Sequence, residues 1–166
     1  MYNIEFQKRG LPHAHLLIFL HLSSKYPTLD DIDKVISTEI SCPINCPELH
    51  QCVQDHMIHG PYGTINRSLS CMKNGKCSRL YPKKIQNTTS VSEDGYPHYS
   101  RRNDSLIVTK NSVCLDNRYV VPYNPELLLK YQAPINVEWC NRNTLIKYLF
   151  KYINKGYGKI TVVIVP

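Results

Sequence analysis

The start of the chain holds the pattern that most restricts the fold. Residues 2–7 and 12–20 are two runs of strand-forming residues, and the turn between them contains Lys8, Arg9 and Gly10. Two such runs around a glycine-containing turn are typical of a β-hairpin. The chain is therefore expected to contain an antiparallel sheet that begins within its first residues.

Helical patterns follow in three places. Thr28 and Asp31 have the spacing of a capping box at the start of an apolar periodic run over 29–40. Residues 48–58 predict a second helix, and residues 143–155 predict a third, amphipathic one. Together with the hairpin, these patterns predict the α+β class, an antiparallel sheet with packed helices.

The middle of the chain has a different composition. Residues 56–105 are rich in polar and turn-forming residues, which predicts a loop-rich central insertion in a single domain over 1–166. Further strands are predicted at 106–109, 118–121 and 135–138. A short apolar piece at 126–131 follows a Pro-Tyr-Asn-Pro turn.

Charge and cysteine content indicate which kind of partner the protein binds and where in the cell it is located. Lys plus Arg exceed Asp plus Glu by 20 to 13, a net charge of +7 that favours an anionic partner such as nucleic acid. No apolar run is long enough to cross a membrane, and we expect no membrane partner. The 7 cysteines are an odd number without a disulfide pattern, so we expect thiols and a nuclear or otherwise intracellular location.

The hairpin offers a candidate catalytic metal site. His13 and His15 are two apart on a strand and therefore share one face, where both can bind one divalent ion. Glu5 and Gln7 on the preceding strand can add an oxygen ligand, and the carboxylate is the better electrostatic choice. Two nitrogens with oxygens suit Mn or Mg. Two histidines on a partly exposed strand are the alternative.

The last predicted helix carries two candidate nucleophiles. Tyr148 and Tyr152 are four residues apart and lie on one face, between Lys147, Lys151 and Lys155. A tyrosine with a pKa of about 10 is a poor nucleophile, and neighbouring cations such as Lys151 would ease its ionisation. The alternative is a pair of amphipathic tyrosines at the rim of a core.

The insertion offers a second metal site, a zinc knuckle. Its candidate ligands are His56, His59, Cys71 and Cys77. Structural zinc commonly takes mixed Cys and His ligands. Reduced cysteines in a loop are the alternative, and Cys114 and Cys140 are predicted to be packing residues.

Two long motifs carry a resemblance to a known family. Residues 5–15, EFQKRGLPHAH, and residues 148–156, YLFKYINKG, resemble the HUH and paired-tyrosine motifs of Helitron-like replication initiators. Intermediate segments match in the same order, at 57–61, 71–77, 94–97, 122–125 and 135–138. The family often has cysteine where Tyr62 stands and histidine where Pro134 stands.

This resemblance implies an enzyme of the HUH endonuclease superfamily. Its members nick single-stranded DNA through a 5′-phosphotyrosine intermediate, then pass that end to a 3′-hydroxyl in rolling-circle-like transposition. A helicase domain normally shares the polypeptide and is absent here, so we expect a fragment. The alternatives are an inactive nucleic-acid-binding remnant and a zinc-stabilised interaction module.

DNA contacts are expected from cations and aromatic rings. The candidate phosphate contacts are Lys8, Arg9, Arg101, Arg102, Lys147, Lys151 and Lys155. The candidate base-stacking rings are Tyr96, Tyr99 and Tyr123.

Overall fold

The structure is a computed structural model that describes residues 2–6, 12–16, 18, 20–21, 28–61 and 69–140, with only the backbone described at 2–6 and 12–13. The chain divides into two compact units, one of Met1–Lys25 with Cys140–Pro166 and one of Tyr26–Trp139. In the described ranges, no helix has the length and apolar character needed to cross a membrane.

The predicted hairpin is present in the first unit. Strands β1 (Tyr2–Phe6) and β2 (Pro12–Leu16) pair antiparallel. The register places Glu5 opposite His13 and Asn3 opposite His15. The second strand ends at Leu16 rather than at residue 20.

The first helix begins as predicted and ends early. Helix α1 spans Leu29–Val35, and the hydroxyl of Thr28 accepts a hydrogen bond from the Asp31 amide. The predicted continuation to residue 40 is wrong, because Ile36 is already extended. Its neighbour Ser37 instead forms a bridge with Tyr123, so this part of the chain pairs like a strand.

The second predicted helix is confirmed in two pieces. Helix α2 spans Pro47–Cys52, with proline in its first turn. A π-helical turn over Val53–Met57 continues it, and the chain then becomes extended at Ile58. Ile58 forms a bridge with Val120, which fixes the direction of the chain as it leaves the helix.

The described part of 56–105 contains two very short hairpins. The first pairs β3 (Met72–Lys73) with β4 (Lys76–Cys77), and the second pairs β5 (Ser90–Val91) with β6 (Pro97–His98). Its first two residues complete the π-helical turn, and isolated bridges join Ile58 to Val120 and Gln86 to Arg101. Turns and irregular backbone make up its other described residues.

The strand prediction for the following region is partly wrong. Strands β7 (Val108–Lys110) and β8 (Val113–Leu115) form a hairpin, which agrees with a strand near 106–109. The predicted strand at 118–121 begins instead as a 3-10 turn over Asn117–Tyr119, because the Asp116 carboxylate accepts from the Arg118 amide. Residues 135–138 form no strand.

Helix α3 (Pro125–Tyr131) completes the described elements and packs onto α2. Its N-cap is Asn124, whose side chain accepts from the Leu127 amide. The main core of the second unit is made of the buried residues Ile40, Cys52, Val53, Met57, Ile58, Val108, Leu115, Val120, Tyr123 and Leu128. Three helices and small antiparallel sheets among the described residues agree with a mixed α and β fold.

Two cysteines are not where packing was predicted. Cys114 and Cys140 are both exposed, so the expectation that they are packing residues is wrong. Cys114 lies on the two-stranded β7–β8 hairpin, where successive side chains alternate between the covered and the open face. No disulfide joins any of the seven cysteines, all of which lie in the described ranges.

Candidate metal centre

A tight turn brings two cysteines together. Asn74 and Gly75 have φ values of 51° and 74°, the left-handed pair that a two-residue hairpin turn requires. Met72 therefore pairs with Cys77, and the Ser78 amide donates to the Cys71 carbonyl at 2.7 Å. The turn thus places the thiols of Cys71 and Cys77 together at the base of the hairpin.

An imidazole reaches the same place from the helical region. The His59 amide donates to the Tyr119 carbonyl at 2.8 Å, which continues the pairing begun at Ile58. The His59 ring packs against the Tyr81 ring with centroids 4.4 Å apart. Its Nε2 atom lies 3.4 Å from Cys77 Sγ.

These three side chains can hold one metal ion. Ligand atoms of His59, Cys71 and Cys77 all lie within 4.8 Å of one another, and both cysteines are buried. Zinc–ligand lengths of about 2.1 and 2.3 Å at a tetrahedral angle place nitrogen and sulfur about 3.6 Å apart. The observed separation of 3.4 Å between His59 Nε2 and Cys77 Sγ is close to that value.

The protonation of the cluster favours metal binding. Burial, helped by the charges of Arg79 and Lys83, lowers the pKa of His59 and keeps its imidazole neutral. A neutral imidazole is the form that binds metal.

The two thiols differ in acidity. Burial raises the pKa of Cys71, and its hydrogen bond with Cys77 adds to the effect. Burial also acts to raise the pKa of Cys77, but amide donors from Tyr81 and Arg79 outweigh it and the net pKa is lowered. Cys77 is thus the thiol that ionises first, and a bound cation would ionise the second.

The fourth predicted ligand, His56, is not part of the cluster formed by the described residues. His56 lies in the π-helical turn, whereas His59 comes after the chain has become extended at Ile58. The two histidines would share a face only if one helix continued through both. The predicted zinc set is therefore corrected to three protein ligands.

The predicted catalytic metal ligands lie in or next to the β1–β2 hairpin. Glu5 and His13 are paired across its ladder, and His15 is half-buried. Gln7 lies outside the described residues, as do the other predicted catalytic and DNA-contacting positions Lys8, Arg9, Lys147, Tyr148, Lys151, Tyr152 and Lys155.

Two adjacent arginines predicted to contact DNA have opposite environments. Arg101 is 4% exposed, and its Nη1 donates to the carbonyls of Asn117 at 2.6 Å and Val120 at 2.7 Å. Its prediction as a phosphate contact is corrected, because an interior guanidinium does not reach a surface ligand. Arg102 is exposed but forms an ion pair of 2.5 Å with Glu39.

Of the three tyrosines predicted to stack on bases, two are interior residues. Tyr123 is 1% exposed and donates to the Glu39 carbonyl at 2.8 Å. Tyr99 is also buried, and its hydroxyl donates to the Glu138 carboxylate at 3.0 Å. The prediction of base stacking is therefore wrong for Tyr99 and Tyr123. Tyr96 is 52% exposed, so base stacking by Tyr96 stays a prediction.

The residues that surround the candidate centre have no motif of their own in the sequence. Tyr81 packs on the imidazole of His59, while Lys83 lies over the Tyr81 ring with Nζ 4.9 Å from its centroid. The amides of Arg79 and Tyr81 donate to Cys77. Their only signal in the sequence is their position directly after Cys77.

The metal for which the centre is suited follows from its donors. Two thiols and an imidazole are soft and intermediate ligands, a set that favours zinc over magnesium or calcium. Comparison with known proteins does not assign the chain to a family. No protein-family model matches the chain, and no curated protein matches it.

Proposed function

We propose that this chain is an HUH-type endonuclease that nicks and rejoins single-stranded DNA, of the kind used by Helitron-like replication initiators. The observation that carries the proposal is the register of the β1–β2 hairpin, which pairs Glu5 with His13. The net charge of +7 supports a nucleic-acid substrate.

The hairpin register supports a catalytic metal site. Residues directly opposite on an antiparallel ladder share a face, with Cβ atoms about 4.5–5.5 Å apart. His15 is two residues further along the same strand and belongs to the same face. Two imidazoles and one carboxylate fit Mn or Mg, which when bound would polarise a phosphate oxygen.

The proposed nucleophiles come from the paired-tyrosine motif. The compact unit that contains the hairpin also contains residues 140–166, the part of the sequence with Tyr148 and Tyr152. In the nicking step a tyrosine oxygen forms a bond to phosphorus as the bond from phosphorus to the 3′-oxygen breaks. The phenol loses its proton and the departing 3′-oxygen gains one. In the joining step a 3′-hydroxyl attacks the phosphotyrosine and releases the tyrosine.

A second candidate function is a zinc-stabilised nucleic-acid-binding module without cleavage. The His59, Cys71 and Cys77 cluster favours it, because a structural metal can hold a loop-rich segment in a binding conformation. The two functions differ in one product, since only the endonuclease leaves DNA covalently attached to protein.

A cleavage assay with matched histidine variants tests the proposed function. His13→Ala should abolish Mn-dependent nicking of a labelled single-stranded oligonucleotide while binding persists, because phosphate contacts come mainly from Lys and Arg. His98→Ala is the control, since His98 is an exposed histidine of the other unit. Nicking that survives replacement of both His13 and His15 would overturn the proposal.

A further inference from the structure

The segment that contains His59, Cys71 and Cys77 is strongly basic. From His56 to Ser92 the sequence contains no Asp or Glu. The cations of this segment that the structure describes are Lys73, Lys76, Arg79, Lys83 and Lys84, which we call the basic lobe. All are exposed except Lys83, which is half-buried. The ion pairs between described residues join Lys34, Arg102 and Arg118 to carboxylates and involve no cation of the lobe.

Two lysines of the lobe face each other across the hairpin. The β3–β4 register pairs Lys73 directly with Lys76, on either side of the Asn74–Gly75 turn. Like charges directly opposite on a ladder destabilise a hairpin. The left-handed turn fixes this register, so the strands cannot shift to separate the charges. An anion bound between the two ammonium groups would turn the repulsion into attraction.

Two other cations of the lobe, Arg79 and Lys83, lie next to the residues that surround the candidate metal centre. Lys83 Nζ donates to the Arg79 carbonyl at 3.0 Å and lies over the ring of Tyr81, which packs on His59. Zinc with two thiolates and a neutral imidazole has no net charge, so the ion would not repel the anion that the lobe attracts. A metal bound here would therefore fix the positions of these cations.

The same segment exposes one apolar side chain. Leu80 has a φ of 57° and is 76% exposed. A left-handed backbone is unfavourable for a residue with a bulky side chain, and here it belongs to a turn in which the Leu80 amide donates to the Cys77 carbonyl at 3.0 Å. The turn presents Leu80 to solvent, and in the sequence Leu80 directly follows Arg79 and precedes Lys83 and Lys84. Cations next to an exposed apolar group fit an unpaired strand, which offers phosphates and open base faces together.

We propose that the basic lobe binds the sugar-phosphate backbone of single-stranded DNA, with Lys73 and Lys76 contacting phosphates and Leu80 contacting a base. The lobe belongs to the second compact unit, whereas the hairpin residues of the proposed nicking site belong to the first. Its choice of DNA as ligand rests on the proposed function. Its role is to hold the strand, and it takes no part in the chemistry.

Salt-dependent binding of a fluorescent oligothymidine to the full chain tests the proposal. Each phosphate contact on a single strand adds about 0.7 to the slope of log affinity against log salt. Lys73→Ala with Lys76→Ala should therefore lower the slope by about 1.4, and its deficit relative to the unsubstituted chain should shrink about sevenfold between 50 and 200 mM salt. The control is Lys34→Ala with Lys130→Ala, which removes the same charge from two exposed helical lysines and should change the slope little.

The outcomes separate the lobe from the nicking site. An unchanged slope and affinity in the Lys73 and Lys76 variant would overturn the lobe proposal, even if the chain still nicks DNA. A lowered slope in a chain that never forms a covalent adduct would support the lobe and overturn the endonuclease. Lobe-dependent binding to phosphatidylserine vesicles, without binding to the oligonucleotide, would overturn the assignment of DNA as the ligand.

Discussion

Replacing Arg101 should lower the free energy of unfolding of the second unit much more than replacing its neighbour Arg102. The Arg101 guanidinium is buried and donates to three backbone carbonyls in two segments, one at Thr38 and two in the turn of Asn117 and Val120. Arg101→Met keeps a long unbranched side chain and removes every one of these donors. The carbonyls at Asn117 and Val120 would then be buried without this partner.

The size of the effect follows from the hydrogen-bond lengths. The bonds of 2.6 and 2.7 Å are short, whereas the third, of 3.4 Å to Thr38, is too long to contribute much. A hydrogen bond to a charged group contributes about 1.5–3 kcal/mol, so the two short bonds together contribute roughly 3–6 kcal/mol. Removing a buried charge recovers part of its desolvation cost. We therefore expect a net loss of about 2–4 kcal/mol, a large share of the roughly 5–15 kcal/mol typical of a domain.

Urea unfolding followed by circular dichroism measures this loss. Arg102→Met is the matched control, because it removes the same charge from a side chain that is 65% exposed. Its ion pair with Glu39, whose side chain is 13% exposed, is expected to contribute on the order of 1 kcal/mol. The midpoint should fall strongly for Arg101→Met and little for Arg102→Met. Equal midpoints in the two variants would refute the conclusion that Arg101 is an interior structural residue.

Two further predictions concern the metal centre and pH. The purified chain should hold about one zinc ion per molecule, measured by elemental analysis. Cys71→Ser or Cys77→Ser should remove the zinc, whereas the control His56→Asn should keep it. Finding zinc in neither the unsubstituted chain nor the control would contradict the proposed centre. For Glu39, burial acts to raise the pKa, but the hydrogen bonds and charge of Arg102 outweigh burial and the pKa lies below its ordinary 4.5. A lowered folded pKa gives stability that is present above the unfolded pKa and is lost as pH falls through the folded value. Below about pH 4.5, the urea midpoint of Glu39→Gln should therefore fall less steeply with pH than that of the unsubstituted chain. The same pH dependence in both proteins would contradict a contribution of Glu39 to stability.

Local signals in the sequence predicted elements wherever neighbouring residues determine the structure. The cap formed by Thr28 and Asp31 predicts the start of α1, because a side chain three residues away satisfies an amide at the helix end. Alternation around a glycine turn predicts the first hairpin in the same way. The end of α1 was not predictable locally, since the partner of Ser37 is Tyr123.

Burial and ligand choice depended on contacts between distant segments. Arg101 and Arg102 are identical in local sequence terms, yet one is buried against two carbonyls of the turn that begins at Asn117 and the other is exposed. His56 and His59 are likewise equivalent as sequence ligands, and the extended backbone at Ile58 separates them. His59 meets the cysteines through its pairing with Tyr119, a contact that ligand spacing alone does not reveal.

The central claim is that a tyrosine of this chain becomes covalently attached to DNA, and adduct mapping tests it most directly. The chain is incubated with single-stranded DNA and Mn, denatured, digested and analysed for a peptide that carries a 5′-phosphate on tyrosine. The account predicts an adduct at Tyr148 or Tyr152, present with either Tyr148→Phe or Tyr152→Phe alone and lost when both are replaced. Phenylalanine keeps the ring and its packing, so the loss would report on the hydroxyl. An adduct that persists in the double variant, or DNA cleaved with no adduct in the unsubstituted chain, would contradict the account.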